Sequence, residues 1–392
     1  MLTFAEIDFV EFHEQHLPPL LTEHGYLAAA DVARIGPLAL QVGDRAFTYT
    51  PTPDGVAVTA GDAGAATVAV MDAAAFSDFA HELRSNYGLL YAGMVQFTRG
   101  EFTGLERWEP ALRALYHGRP IYDDAAAAEV REGGPLDRAF TLADSDDELK
   151  TFLHRTGFLH VRDVLSGDEI ETLRGEVARL KAVARPDDKR SWWAKDESGE
   201  EVCCRLLYTS LSSPPIGALA DDERFGRIGV LHGEHLEPEL DLLDGISVVI
   251  KNPAVVEGLS DLPWHRDCGL GGHPVLCPTV AIGVQLDEAN AANGQLVMLA
   301  GSWRYSSHQV RKKDEERWPI VPLDTEPGDV TVHFGHVLHA APPPTAPDAG
   351  RRAMYVTYTR PDSIEYVGPM NGYNDVLLAH GDGRVQAPAE VA

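Results

Sequence analysis

Residues 261–273 read DLPWHRDCGLGGH and concentrate ionisable side chains among glycines. Residues two apart on an extended strand point to the same face, so His265 and Asp267 project together while Arg266 points away. An imidazole and a carboxylate on one face are two members of the 2-His-1-carboxylate set that binds Fe(II) and leaves coordination positions open. The second histidine has to come from elsewhere in the fold, and the candidates are His273, His308, His333, His336 and His339.

The sequence around this stretch is rich in short β-type runs separated by Gly, Pro, Asn and Asp. No long helical pattern appears between residues 245 and 360. This pattern predicts a β-sandwich or a jelly-roll barrel. The runs are GISVVIKNP, TVAIGVQLD, GQLVMLAG, GDVTVHFG and RRAMYVTYT.

A change in pattern near the middle of the chain predicts a domain boundary. Residues 126–148 are rich in Ala, Gly and acids without a sustained apolar period, which is typical of a linker or a weak connecting helix. The strand-like run GFLHVRDVL follows, and then Ser166 and Glu169 have the spacing of a capping box that begins an amphipathic helix. We therefore predict three parts, 1–125, 126–148 and 149–392.

The first part has an α+β pattern. RAFTYTPTPDGVAVTAG contains two alternating runs around a turn and predicts a hairpin. ATVAVMD predicts another strand, and Asp72 can cap the helix that follows. A later helix carries Leu105, Trp108, Leu112 and Leu115 on one face, which is typical of a core face.

Composition excludes several functional classes. The chain has 392 residues, with 33 basic and 60 acidic side chains and a formal charge of −27. Phosphate affinity comes mostly from Lys and Arg, so nucleic acid is not an expected partner. The N-terminus has neither the basic start nor the clean apolar core of a signal peptide, and no apolar run could span a bilayer. We expect a cytoplasmic protein without membrane insertion, in which the four cysteines remain thiols.

The order of motifs in the second half resembles the phytanoyl-CoA dioxygenase (PhyH) family of Fe(II)/2-oxoglutarate oxygenases. LPWHRD is followed by a turn with Asn293, Gly294, Leu296, Gly301 and Ser302, and then by EPGDVTVHFGHVLHAAPPPTAPDAGRRAMYVTY. The resemblance covers about residues 149–365. It implies a double-stranded β-helix (jelly-roll) domain with flanking helices that uses Fe(II), 2-oxoglutarate and O2.

The resemblance also implies roles for particular residues. It assigns the iron ligands to His265, Asp267 and His339, with His333 and His336 as the alternatives to His339. The family's pattern of an arginine, a basic residue and an alanine assigns the 2-oxoglutarate carboxylate to Arg351. Arg352 is the alternative, because the two arginines point to opposite faces of a strand and only one can enter the fold.

The rest of the expected cosubstrate pocket departs from the family pattern. Gly283 stands where the family has an aromatic residue. Gln285 and either Lys251 or Asn252 are the further polar contacts that we predict for the cosubstrate.

The first part resembles sterol-carrier-protein-2-like (SCP2-like) domains. The resemblance rests on the order hairpin, VMDAAAFSDFAHEL, GLLYAGMVQFTRGEFTGLERWEPALRAL and GRPIYD, over roughly residues 25–123. It implies a five-stranded sheet with helices, and either a lipid tunnel or a role in packing and dimerisation. We expect the packing role, with which a homodimer is compatible.

Together these patterns predict a dioxygenase that hydroxylates or otherwise oxidises a C–H bond of a small, lipophilic or acyl-linked molecule. Because Asp267 supplies a carboxylate ligand, halogenation is not expected. Two alternatives remain at this point. One is a lipid carrier with a degenerate oxygenase domain, and the other is a cupin-like metalloenzyme that does not use 2-oxoglutarate.

Overall fold

The computed structural model describes residues 4–240, 244–253, 255–258, 261–270, 274–346, 348–363 and 373–378. Two regions follow one another along the chain, each with its own sheet and hydrophobic core. None of the helices in these ranges combines the length and the apolar composition that a bilayer span requires.

The first region is a five-stranded sheet covered by helices, as the sequence predicted for this part of the chain. The predicted hairpin pairs Phe47 with Ala60 and Thr52 with Gly55, and Asp72 caps its helix by accepting a hydrogen bond from Ala75 N. The strand order is β3-β2-β1-β4-β5. The strands are β1 (Leu38–Val42), β2 (Arg45–Thr52), β3 (Gly55–Ala60), β4 (Thr67–Met71) and β5 (Val95–Arg99), and the helices are α1 (Phe9–Glu11), α2 (Leu17–Val32), α3 (Ala73–Ala80), α4 (Asn86–Tyr91) and α5 (Phe102–His117).

The core of this region is filled by large side chains. Leu105, Trp108, Leu112 and Leu115 on α5 are buried there, which confirms the predicted apolar face of this helix. Tyr49 brings a polar group into the same core, and its hydroxyl is satisfied by His13 Nε2 at 2.7 Å and by the Tyr116 hydroxyl at 2.6 Å.

The segment between the two regions is more regular than the predicted linker. It holds the helix α6 (Asp124–Glu132) and the short strand β6 (Ala139–Phe140), which pairs in parallel with the next strand of the second region. Tyr122, just before this segment, donates its hydroxyl to the carbonyl of Ala300. The segment therefore packs onto the second region.

The second region contains several helices and two sheets, one larger than the other. The predicted capping box is present, since Ser166 and Glu169 exchange hydrogen bonds at the start of α8. The helices are α7 (Asp146–Thr156), α8 (Gly167–Val183), α9 (Pro214–Gly217), α10 (Glu223–Gly229), α11 (Lys312–Glu315) and α12 (Tyr373–Leu377). The larger sheet contains β6, β7 (Phe158–Val161), β8 (Ser191–Asp196), β9 (Glu201–Leu206), β10 (Glu237–Pro238), β11 (Ser247–Lys251), β12 (Val255–Glu257), β14 (Thr279–Gln285), β17 (Val330–Phe334) and β19 (Arg351–Thr359).

The smaller sheet has four strands and faces the same hydrophobic core. Met298 and Val321 from this sheet belong to one cluster with Val284 and Met354 from the larger one, so the two sheets pack as a sandwich. No described strand pairs across the two sheets, which are therefore open rather than one hydrogen-bonded barrel. The order is β13 (Leu262–His265), β18 (His339–Ala341), β15 (Val297–Leu299) and β16 (Ile320–Pro322).

Candidate active site

The neighbouring strands β13 and β18 bring two histidines together. His265 ends β13, His339 begins β18, and the two are register partners whose rings lie 4.2 Å apart between centroids. Asp267 follows two residues after His265, where its backbone N–H donates to the carbonyl of Gly335. A pairing between strands that are distant in sequence therefore assembles the three side chains.

These three side chains converge on one space. Asp267 Oδ1 lies 3.5 Å from His265 Nε2 and 3.7 Å from His339 Nε2. One ligand atom from each residue lies within 4.8 Å of the other two. Two nitrogens and one carboxylate oxygen at this separation fit a single transition-metal ion and match the donor set of the non-haem Fe(II) triad.

Hydrogen bonds to backbone carbonyls fix the orientation of both histidine rings. His265 Nδ1 lies 2.7 Å from the carbonyl of Pro263, and His339 Nδ1 lies 3.0 Å from that of Val337. A carbonyl accepts only from a protonated nitrogen, so in the neutral form of each ring the proton is on Nδ1 and Nε2 carries the lone pair. Burial lowers the pKa of His339 well below its usual value, which keeps the ring neutral.

His333 stands beside the triad in a different role. Its Nε2 lies 3.1 Å from Asp267 Oδ2, the carboxylate oxygen that does not face the other two histidines. Burial by itself would raise the pKa of Asp267, but the surrounding imidazoles and their hydrogen bonds hold it well below its usual value. The carboxylate is therefore ionised, and His333 orients it by donating a hydrogen bond to Oδ2.

The other candidate histidines do not join the three. His336 is buried, and neither ring nitrogen has a hydrogen bond of normal geometry with a described residue, although the Val275 backbone lies near. His308 lies 2.5 Å from Asp31 of the first region. His273 lies outside the described residues.

A small cavity adjoins the triad on the side of the larger sheet, and Arg351 lies in its wall with Tyr355. Arg351 is only 4% exposed, its Nε donates to the carbonyl of Gly294, and it makes no ion pair with a described carboxylate. Arg352 points the other way and forms two hydrogen bonds of 2.8 Å with Asp287. A buried guanidinium without a carboxylate partner fits the carboxylate of a ligand.

The further predicted cosubstrate contacts are absent from the wall of this cavity. Gln285 is buried and donates to the carbonyl of Gly283 and to the hydroxyl of Thr331. Lys251 is buried, lies 2.7 Å from Asp261 and donates to the carbonyl of Ala341. The structure therefore gives both side chains protein partners of their own.

Asn252, the alternative to Lys251, also has protein partners. Its amide donates to the carbonyls of Cys203 and Ile250.

The departure at Gly283 has a physical explanation in the neighbouring strand. A Cβ atom at Gly283 would lie 2.8 Å from the ring of its register partner Tyr355. The ring of Tyr355 on β19 therefore occupies the space beside Gly283, and its hydroxyl interacts with Arg351. The sequence signal was available, because Arg351, Tyr355 and Thr357 share one face of a strand.

A second, larger cavity of about 530 Å³ adjoins the triad on its other side. His265 and Asp267 line both cavities, so the triad lies where they meet. Trp264, next to His265, lines this larger cavity.

Two nitrogens and a carboxylate lie between two cavities, and one cavity holds the buried Arg351, which has no described carboxylate partner. This arrangement defines the site of a non-haem iron oxygenase. The family model of phytanoyl-CoA dioxygenase (PhyH) matches residues 153–353, just over half of the chain. The chain therefore belongs to the phytanoyl-CoA dioxygenase family. This membership confirms the predicted class of enzyme and its cofactors, Fe(II) and 2-oxoglutarate with O2.

Several solved structures are similar to part of this chain. AviO1 from Streptomyces viridochromogenes Tue57 is 23% identical, with 56% of this chain and 96% of that chain covered and a TM-score of 0.44. EctD from S. alaskensis with 2-oxoglutarate and 5-hydroxyectoine is 18% identical, over 61% and 87%, with a TM-score of 0.47. The non-heme alpha ketoglutarate dependent epimerase SnoN from nogalamycin biosynthesis is 20% identical, over 57% and 88%, with a TM-score of 0.43. No curated protein matches the chain.

Proposed function

We propose that this oxygenase oxidises a C–H bond of a small molecule, most simply by hydroxylation, with Fe(II) bound by His265, Asp267 and His339. The carrying observation is that His265 and Asp267 line both the small cavity with Arg351 and the large cavity. One cavity is thereby assigned to 2-oxoglutarate and the other to the substrate.

Arg351, Tyr355 and His333 each have a role in the proposed function. Arg351 binds the far carboxylate of 2-oxoglutarate, and Tyr355 supports the guanidinium. His333 holds the ligand carboxylate in place by donating to its second oxygen. The bound iron, with 2-oxoglutarate and O2, supplies the oxidising chemistry, and the apolar walls exclude water from it.

The finer assignments of fold, domains and location are also proposals. We assign residues 149–392 to a jelly-roll oxygenase domain, 126–148 to a connecting segment and 1–125 to an SCP2-like domain. The two packed sheets and the five-stranded sheet support these assignments. We also propose that the SCP2-like domain serves in packing, that the protein forms a homodimer and that it is cytoplasmic.

Anaerobic spectroscopy tests the proposed function without knowledge of the substrate. Fe(II) and 2-oxoglutarate added to the protein should produce the visible metal-to-ligand charge-transfer absorption of a chelated complex. Asp267→Ala should abolish it, whereas the surface variant Asp348→Ala should retain it. Metal binding without this absorption would instead favour the cupin-like alternative, and substrate-dependent succinate formation over a panel of small molecules would then be absent.

A further inference from the structure

The larger cavity is built by both regions of the chain. Its wall from the second region carries His265 and Asp267, together with Trp264 and Leu338. The first region supplies the facing residues, among them Tyr87, Tyr91, Glu106, Glu109, Arg113 and Arg119. Any molecule that fills this cavity beside the iron ligands therefore contacts the first region as well.

One face of α5 supplies much of this second wall. Glu106, Glu109 and Arg113 are spaced by three and four residues, which places them on the same side of the helix. The apolar residues of the same helix, such as Leu105 and Trp108, are buried in the core of the first region. The helix thus has a core face and a cavity face.

Backbone contacts fix this wall against the segment that follows Asp267. Ser85 N donates to the carbonyl of Gly269 at 2.9 Å, and Val275 N donates to the carbonyl of Glu82 at 2.7 Å. The helix α4 approaches so closely that a Cβ atom at Gly88 would lie 2.4 Å from the Gly269 oxygen. These contacts therefore fix the position of this wall relative to the proposed metal ligands.

The cations of this wall are already matched by acids. Arg119 binds both carboxylate oxygens of Glu82, and Arg113 lies 2.9 Å from Glu109 and 3.7 Å from Glu82. Glu109 also accepts from the backbone N–H of Asn86. These groups form a closed network whose charges offer little to a ligand.

Glu106 differs from its neighbours. Among the described residues its carboxylate accepts one hydrogen bond, from the Tyr87 hydroxyl at 2.5 Å, and it forms no ion pair. An ionised carboxylate has about four acceptor positions, so capacity remains on the cavity side. Burial and this hydrogen bond raise the pKa of Tyr87, which keeps the phenol a donor to Glu106.

We infer that Glu106 is a specificity-determining residue of a composite substrate site and accepts a hydrogen bond from an amine or hydroxyl group of a largely apolar substrate. The inference rests on the proposed function, because the oxygenase site supplies the other wall. It gives the first region a task in substrate recognition. The substrate class is an apolar small molecule with one polar donor group.

Arg266 is the competing recognition group in the same cavity. Its Nε donates to the carbonyl of His336, and its Nη2 donates to the carbonyl of Tyr305 and the hydroxyl of Ser307. These contacts fasten three loops together and assign the side chain to structure. Its Nη1 makes no hydrogen bond with a described residue, so a preference of the cavity for anions would point to Arg266 instead.

The test uses four ligands with similar apolar bodies: 4-phenylbutylamine, 4-phenyl-1-butanol, 4-phenylbutyrate and pentylbenzene. Binding to the full chain loaded with Fe(II) and 2-oxoglutarate is measured anaerobically by calorimetry. The amine should bind tightest, by at least ~10-fold over pentylbenzene, as expected for one hydrogen bond to a charged group. Glu106→Gln should weaken the amine by a similar factor and the alcohol by less than about 3-fold, because the amide still accepts.

Glu132→Gln removes one negative charge at an exposed position and serves as the matched control. Three results would overturn the inference: tightest binding of 4-phenylbutyrate, an amine affinity that Glu106→Gln leaves unchanged, or no binding of any of the four ligands. The charge-transfer absorption of the loaded protein is measured in the same samples. Its presence separates a failure at Glu106 from a failure of the proposed function.

Discussion

At the scale of single residues, hydrogen bonds divide three adjacent imidazoles between two roles. His265 and His339 each place Nδ1 against a backbone carbonyl and keep Nε2 for the metal. His333 uses Nε2 to contact Asp267, and its buried Nδ1 has no hydrogen-bond partner among the described residues. The role of each ring follows from which of its nitrogens makes a hydrogen bond. The spacing of the histidines in the sequence does not indicate this.

Replacing His333 should weaken iron binding without removing a ligand. His333→Leu removes the donor to Asp267, and loss of such a supporting contact typically costs about 10- to 100-fold in metal affinity. His333→Gln retains an N–H donor and should lose less. Anaerobic Fe(II) titration of the three proteins measures the effect. Unchanged affinity in His333→Leu would remove the positioning role, and complete loss of binding would make His333 a ligand.

The two adjacent arginines of β19 should respond differently to the same substitution. Arg351→Lys loses the planar fork that binds a carboxylate through two hydrogen bonds, so KM for 2-oxoglutarate should rise by about 10-fold or more. Arg352→Lys loses only a partly exposed pair with Asp287 and should cost about 1 kcal/mol of stability or less. Succinate formation at varied 2-oxoglutarate measures KM in both variants. A larger KM change in Arg352→Lys than in Arg351→Lys would reverse the assignment.

At the scale of secondary-structure elements, close packing of α4 positions the segment after β13. Gly88 has no room for a side chain because the Gly269 carbonyl is so near. Gly269 itself has a φ of +89°, which favours glycine, and it lies two residues after Asp267. A helix of the first region thus sets the path of the chain next to a metal ligand.

A pair of glycine substitutions tests this contact. Gly88→Ala should displace the segment that carries Asp267 and weaken the charge-transfer absorption at a fixed Fe(II) concentration. Gly25→Ala, in α2 with no atom within 4 Å of the added Cβ, should leave the absorption intact and add up to about 1 kcal/mol of stability through helix propensity. Equal absorption in the two variants would show that α4 does not position the ligand segment.

At the scale of the whole molecule, the two regions act as one frame around the large cavity. The contacts across them include the pair of Asp31 with His308 and the hydrogen bond from Tyr122 to Ala300. The net charge of −27 means that acidic side chains in both regions repel one another.

Added salt should therefore stabilise the protein. Raising the ionic strength from about 10 mM to about 0.15 M shortens the Debye length from about 30 Å to about 8 Å. This screens the repulsion between distant acids more than it weakens exposed ion pairs, which each contribute little. The melting temperature should rise in both sodium chloride and choline chloride. A fall in both salts would mean that local ion pairs outweigh the net charge.

Much of the architecture was predictable because its signals are local. Alternation along RAFTYTPTPDGVAVTAG gave the hairpin, and the spacing of Ser166 and Glu169 gave the start of α8. The runs named in the second half all became strands. Each of these follows from residues that are close in sequence. His265 and Asp267 also lie close together, although β13 ends at His265 and Asp267 lies in the bend that follows, so the predicted alternation along one strand is not what brings them together.

The sequence by itself determined the local elements, the family resemblance and one pair of the side chains that we propose as metal ligands. Only the tertiary structure decided that His339 rather than His333 faces the other two, since that depends on the register of β13 against β18. It also decided that Tyr355 fills the space above Gly283, and that Glu106 faces the cavity of the iron ligands. These outcomes depend on contacts between distant segments, whose packing and hydrogen bonds no local pattern encodes.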